Sequence, residues 1–270
     1  MQRYAVIEKH VGETPLEAIE VWRVRTGIAQ SVPLAYAGRL DPMASGKLLV
    51  LMGDECKRQT AYHGFDKEYR VEVLLGARTD TGDILGMAEL APPHPPMTNQ
   101  TIKDAVRGLL GTHTFKYPRF SARTVRGIPL HELTLKGEIA DADIPTYQGI
   151  VKRISCNIIR EVSAKDVHAY IQERIRRIPI VTDPRKHLGA DFRRGIIMPR
   201  WDELLLAHTE PFTIVTIVAT VSSGTYMRTL AEALGERLGS FGLAYSIHRT
   251  RIGTYRKLPF GYGLWTRWFT

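Results

Sequence analysis

Residues 37–47 read Ala37-Gly38-Arg39-Leu40-Asp41-Pro42-Met43-Ala44-Ser45-Gly46-Lys47 and run straight into the apolar segment Leu48-Leu49-Val50-Leu51-Met52-Gly53. Gly38 and Gly46 permit sharp turns or close backbone approach. Pro42 fixes its own φ and steers Asp41 away from helical geometry, so Asp41 is expected on an extended or turn segment. The run after it has the length and composition of a strand buried in a sheet. One carboxylate is thereby presented from a stiff loop at the edge of a core. Taken alone, these residues also describe an ordinary turn in which Asp41 accepts from neighbouring amides.

Upstream, Tyr4–Lys9 reads as a strand, and Thr14-Pro15-Leu16-Glu17 carries a capping box with proline at the first helical position. Ala18, Val21 and Trp22 share one face of that helix, and Gly27 can end it. Downstream, alternation in Asp66–Gly76 puts Tyr69, Val71, Val73 and Leu75 on one face of a strand. Asp80-Thr81-Gly82-Asp83-Ile84-Leu85-Gly86 reads as a turn into the next strand, its spacing not being that of a calcium loop. The prolines of 92–96 make a stiff connector before a helix capped by Thr98, striped by Ile102, Val106 and Leu109 and closed at Gly111.

Tyr117–Gly127 alternates arginines with aromatic residues, Arg123 among them, and shows no evident acidic partners. It suits phosphate contact and base stacking, with a solvated loop as the alternative. A strand over 150–162 leads into Ser163-Ala164-Lys165-Asp166, which caps an amphipathic helix striped by Val167, Ile171, Ile175 and Ile178. The arginine-rich stretch to about Pro211 reads as an insertion that either grips a polyanion or packs on the core. Phe212–Val221 is a nearly continuous β-branched run, hence a fully buried strand. It empties through Ser222-Ser223-Gly224-Thr225-Tyr226-Met227-Arg228-Thr229-Leu230 into a helix, a geometry that projects first-turn side chains into a cleft. Trp265 and Trp268 suggest a packed C-terminal segment.

The chain has 270 residues, 44% hydrophobic and 24% charged, with net charge +9, which suits a soluble globular protein with a polyanionic partner. No apolar run reaches a membrane span, and the N-terminus lacks a secretory h-region. Two unpaired cysteines, Cys56 and Cys156, fit a reducing cytoplasm. The nine scattered histidines show no ligand spacing, so neither metal nor cofactor is expected. A nucleotide-binding P-loop is excluded, because Lys47 is followed by Leu48 and the required first glycine falls on Asp41.

Together these motifs resemble the TruB-type pseudouridine synthases. Ala35–Gly46 is similar to the family's G-H-T-G-x-L-D-P-x-A-x-G, Asp66–Tyr69 to D-K-x-Y, and residues 79–86 to T-D-T-x-D-x-x-G. Tyr117–Gly127 is similar to P-P-x-Y-S-A-x-K-x-x-G, Ser222–Thr229 to S-x-G-T-Y-x-R-T, and Ser246–Gly253 to L-x-R-x-x-x-G. The likeness covers about two thirds of the chain and is weakest over 163–211.

The resemblance implies an α+β pseudouridine synthase fold, a mixed and mostly antiparallel sheet flanked by helices with a central RNA-binding cleft. It further implies one catalytic domain over 1–270, without the family's C-terminal RNA-binding PUA module, acting as a monomer on the T-arm of transfer RNA. Asp41 would be the catalytic carboxylate, Arg228 its partner and Tyr69 the ring stacked on the flipped uracil. Tyr226 would line the pocket, Arg39 and Arg123 would contact substrate, and Lys9 would either contact the RNA or support the catalytic loop from behind. Tyr36 stands where the family has a histidine, and His248 is read as replacing an apolar pocket residue. The reaction would cleave the base–sugar bond and rejoin the base through C5, the carboxylate acting at the sugar much as in a retaining glycosidase. The alternatives are a noncatalytic RNA-folding protein on the same scaffold, and a hydrolase, for which no second acid is evident.

Overall fold

The computed structural model describes residues 3–93, 96–180, 190–258 and 263–270. Its first half contains β1 (Tyr4–Lys9), α1 (Pro15–Thr26), β2 (Leu34–Ala37), β3 (Ala44–Met52), β4 (Asp66–Leu75), β5 (Ala77–Thr79), β6 (Ala88–Leu90), α2 (Asn99–Arg107) and β7 (Gly111–Lys116). A small hairpin follows, β8 (Thr124–Val125) and β9 (Ile128–Pro129), then α3 (Leu130–Lys136), β10 (Thr146–Val162), α4 (Ala164–Arg176) and α5 (Arg194–Leu205). The last elements are β11 (Phe212–Val221), α6 (Met227–Arg237), β12 (Gly242–Lys257) and β13 (Gly263–Trp268).

The main sheet has the order β1-β3-β12-β4-β11-β10-β7, with β2 added to β3 and β13 to β12. Its pairings are antiparallel except β3 with β12, which is parallel. The fold is therefore α+β with a mixed, mostly antiparallel sheet. Alternation on β4 decides how the layers form. Tyr69, Val71, Val73 and Leu75 join Ile102, Val106 and Leu109 from α2 and Leu230 and Leu234 from α6 in one buried cluster. Leu74 faces the other way, with Ile214 and Leu243, into a second cluster built with Val167, Ile171 and Ile175 of α4 and Trp201 of α5. β11, buried on both faces, lies between these layers, as its β-branched run implies.

Local rules account for the helix starts. Thr14 accepts from Glu17 N while the Glu17 carboxylate accepts from Thr14 N, a reciprocal cap typically worth about 1 kcal/mol. Ser163 caps α4 by accepting from Asp166 N, without the reciprocal backbone bond. Within the stretch 163–211, α4 and α5 pack on the sheet through Val167, Ile171, Ile175 and Trp201, and residues 181–189, part of its expected arginine-rich run, lie outside the described residues. Trp201 has no exposed surface and its indole N–H donates to Ile84 O at 3.1 Å, so Trp201→Ala should cost about 3–5 kcal/mol.

Four local expectations are corrected. The buried face of α1 runs through Ala18, Ile19 and Arg23, and Val21 is exposed. Helix α2 stops at a Gly108 cap, and Gly111 opens β7. The strand expected from residue 150 begins at Thr146, because Thr146–Val151 pairs with β7 before the strand reaches β11. Trp265 packs against Tyr255, but Trp268 is exposed.

Candidate active site

Asp41 sits in the connection between β2 and β3, where Ala44 N donates to Asp41 O at 3.0 Å and Gly12 N donates to Pro42 O at 2.9 Å. Among the described residues, no backbone amide donates to its carboxylate, so the side chain is not used as an ordinary turn cap. The loop is instead fixed through its carbonyls by buried cations. Arg249, with no exposed surface, donates from Nε to Lys47 O at 2.6 Å, from Nη1 to Arg39 O at 3.2 Å and from Nη2 to Gly38 O at 3.2 Å. Lys9, equally buried, donates to Ala44 O at 2.6 Å and His10 O at 2.9 Å. Burial pulls the Lys9 ammonium down to about 8, against opposing attraction from Glu13 and Asp41. Of the two roles expected of Lys9, the structure shows the brace of the loop and not the RNA contact, since an ammonium with no exposure cannot reach a phosphate. Gly46 is required here: its φ is 106°, and a Cβ would lie 2.3 Å from Arg249 O on β12.

Arg228 comes from the strand–turn–helix unit, in the first turn of α6. Tyr226 is the residue before the helix, and its N–H donates to Tyr147 Oη at 3.2 Å. Arg228 Nε lies 2.8 Å from Asp41 Oδ2 and 3.9 Å from Asp83 Oδ2. The same Nε is buried without an aligned hydrogen bond, so the approach to Asp41 is side-on and is held by charge rather than by a directed bond. The guanidinium's terminal nitrogens each make one directed bond. Nη1 donates to Thr81 O at 2.7 Å and Nη2 to Phe120 O at 3.2 Å. Burial opposes the charge on Arg228, yet Asp41, Asp83 and Glu232 outweigh it and raise its pKa. Asp83 is buried behind the pair, and burial pushes its carboxyl up despite Arg228.

Aromatic rings surround this pair. Tyr69 shares a buried cluster with Leu40 and Met227, the chain neighbours of Asp41 and Arg228. The Arg228 guanidinium lies 5.9 Å from the Tyr226 ring centroid, and the Tyr226 ring meets Tyr117 edge-on at 6.0 Å and Tyr147 at 5.7 Å. Arg123, exposed, covers the outer face of Tyr117 at 5.1 Å. Arg39 is exposed on the Asp41 loop, and its charge is felt at the Tyr226 hydroxyl. Contacts thus link Asp41, Arg228, Tyr226 and Arg123 through Tyr117, Arg39 belongs to the Asp41 loop, and Tyr69 lies in the core cluster that Leu40 and Met227 enter.

Two expected residues lie elsewhere. Tyr36 packs against the cluster of Ala5, Ile7, Ile19 and Val50 under α1. On β12 it is Ile247 that enters the cluster with Tyr69, while His248 turns to the opposite face and its Nδ1 lies 3.0 Å from Ser45 Oγ. Strand alternation gives the reason: with Arg249 turned in to the Asp41 loop, the residue two places before it, not one, shares its face. One acidic partner was also overlooked, for Arg119 meets Asp141 at 2.5 Å.

Sequence reasoning missed Asp83, Glu232 and Arg249. Asp83 was visible as the second aspartate of the 80–83 turn, and Arg249 as the arginine of the 246–253 motif. Glu232 left no signal beyond its place one helical turn after Arg228.

A family model described as "TruB family pseudouridylate synthase (N terminal domain)" matches residues 28–172. A protein of Opitutus terrae named tRNA pseudouridine synthase B is 36% identical over 83% of this chain and 70% of its own length. One of the same name from Geobacter sulfurreducens is 28% identical over 94% of this chain and 66% of its own. Among solved structures, a chain of a Cbf5-Nop10-Gar1 complex is similar in fold, with TM-score 0.54 and 16% identity over 93% of this chain and 49% of that one. This chain thus spans about two thirds of the Geobacter protein and about half of the Cbf5-complex chain. With the family model matching over half of its residues and the Asp41, Tyr69 and Arg228 motifs all in place, the chain belongs to the TruB family of pseudouridylate synthases.

Proposed function

We propose that the protein is a tRNA pseudouridine synthase that isomerises a uridine in the T-loop of transfer RNA. The observation that carries this reading is the 2.8 Å contact between Asp41 and Arg228. In the isomerisation the C1′–N1 bond breaks and a C1′–C5 bond forms. C5 loses a proton and N1 gains one, so the atoms balance without water. Asp41 supports the electron-poor sugar carbon while the base detaches and turns. Arg228 aims that carboxylate with a charge that needs no reorganisation during the reaction. Tyr69 supplies the ring for stacking, which a flipped base requires, and Tyr226 and Ile247 shape the walls. Arg39 and Arg123 are exposed beside them and suit RNA phosphates.

The net charge of +9 supports an RNA partner, and the two free thiols, Cys56 and Cys156, support a reducing cytoplasm. Among the described residues no helix is long and apolar enough to cross a membrane. The test is release of tritium from C5-tritiated uridine in T-arm RNA. Wild-type protein should release it, and Asp41→Asn should bind the RNA without release. Absence of release from T-arm RNA and whole transfer RNA would reject the reading, and appearance of free uracil would replace it with a hydrolase.

A further inference from the structure

The backbone just before α5 is unusual. Asp191, Phe192 and Arg193 are three consecutive non-glycine residues in the left-handed region, with φ of 53°, 54° and 59°. Each is disfavoured for an L-residue and persists only where its surroundings compensate. Asp191 is compensated locally, since Arg194 grips its carboxylate at 2.9 and 3.0 Å. Arg193 is compensated far along the chain. Its Nη1 donates to Asp80 Oδ2 at 2.6 Å and its Nη2 to Asp80 Oδ1 at 3.0 Å, and its guanidinium lies 4.3 Å from the centroid of the Phe120 ring.

Those two targets are the two walls that hold Arg228. Asp80 opens the turn whose Thr81 carbonyl accepts from Arg228 Nη1, and Phe120 supplies the carbonyl that accepts from Nη2. The turn is tight around the contact: Asp80 Oδ1 also accepts from Met87 N at 2.8 Å, and a Cβ on Gly86 would lie 2.6 Å from that oxygen. A single side chain thus spans the two segments that carry the acceptors of the arginine facing Asp41.

We propose that Arg193 is a positioning residue for the Asp41–Arg228 pair, tying the Asp80 turn to the Phe120 loop so that both carbonyls stay in register with the Arg228 guanidinium. This rests on the isomerase reading for its catalytic consequence. Its geometric content, the fixing of Arg228, does not. A flat fork with two parallel donors and a face for the aromatic ring is what the site uses, and lysine offers neither.

The experiment compares Arg193→Ala, Arg193→Lys and Asp80→Asn with Arg200→Ala. Arg200 docks the same segment through Ala88 O at 2.9 Å, bonds to neither the Asp80 turn nor the Phe120 loop, and serves as the packing control. Tritium release from T-arm RNA should show kcat lowered about 10- to 100-fold in the Arg193 and Asp80 variants with KM unchanged, and little recovery in the lysine variant. Arg200→Ala should keep the wild-type kcat. In parallel, the Arg228 Nε–Hε resonance, assigned by its disappearance in Arg228→Lys, should shift in the Arg193 and Asp80 variants and stay fixed in Arg200→Ala. An unmoved resonance in folded Arg193→Ala or Asp80→Asn, or an equal kcat loss in Arg200→Ala, overturns the proposal. If wild-type protein releases no tritium, the isomerase reading falls, and the resonance alone decides the role of Arg193.

Discussion

Arg228 meets Asp41 at its Nε, 2.8 Å from Oδ2, while its two terminal nitrogens donate to Thr81 O and Phe120 O. The charge that steers the carboxylate is therefore anchored in backbone from two other elements. Lysine cannot satisfy both carbonyls and still approach Asp41. Arg228→Lys should lower kcat/KM by about 100-fold or more while leaving RNA affinity near wild type, measured by single-turnover kinetics and filter binding. Arg228→Met strands Asp83 and should cost about 3–5 kcal/mol in urea unfolding. A loss below about 1 kcal/mol would mean that the buried carboxyl does not need this partner.

Lys9 and Lys67 extend the theme of cations bound to carbonyls. Lys67 donates to Phe65 O at 2.6 Å and His63 O at 3.1 Å, and burial pulls it, like Lys9, down to about 8. Both have ordinary values near 10.5 when unfolded. Between these limits the folded chain holds fewer protons than the unfolded one, so stability rises with pH through that window and is lost as pH falls through 8. Relative to Lys67→Met, wild-type stability should climb by up to about 1.4 kcal/mol per pH unit above pH 8. A pH-independent difference in urea midpoints would contradict this. Lys9→Met should lower kcat without weakening RNA binding, because its role is to hold the Asp41 loop.

Glu232 lies four residues after Arg228 on α6, and burial pushes its carboxyl up from 4.5 to about 7 in spite of that arginine. The folded state then holds more protons than the unfolded state between those values. The associated stability is complete below 4.5 and is lost as pH rises through 7. Glu232→Gln has no such proton to lose, so its melting temperature should gain on wild type steadily from pH 5 to pH 7.5. A constant offset across that range would show that Glu232 does not titrate there.

RNA affinity should fall steeply with salt, each phosphate contact contributing a slope of about −0.7 to −0.9 in log K against log salt. Arg123→Ala should flatten that slope by about one contact, whereas Arg119→Ala should change it less, because Asp141 already neutralises Arg119. Equal effects from the two would remove Arg123 from the RNA surface.

Much of this architecture was legible before any coordinates. The alternation of Tyr69, Val71, Val73 and Leu75, the Thr14 box and the β-branched run at 212–221 each have one physical solution, and each was adopted. Asp41 and Arg228, 187 positions apart by subtraction of their residue numbers, could be joined only through motif resemblance, since periodicity carries no information about such a contact. What stayed hidden was whatever depends on burial. Lys9 reads as an RNA-binding cation until its ammonium is found wrapped in carbonyls. Asp83 is the turn residue expected, its carboxylate accepting from Leu85 N and Thr81 Oγ1, but its proximity to Arg228 had no sign in the sequence. His248 and Ile247 exchange roles because alternation back from Arg249 puts Ile247, not His248, on the face of β12 that carries Tyr69's cluster.

The central claim is that Asp41, aimed by Arg228, moves a uracil from N1 to C5 attachment. Its most direct measurement is chromatographic quantification of pseudouridine in nuclease digests of T-arm RNA treated with wild-type protein, Asp41→Asn or Arg228→Lys. The expected result is near-stoichiometric pseudouridine with wild type, none with Asp41→Asn and slow accumulation with Arg228→Lys. Unchanged pseudouridine formation by Asp41→Asn, or none by wild type on T-arm RNA and whole transfer RNA, would contradict it.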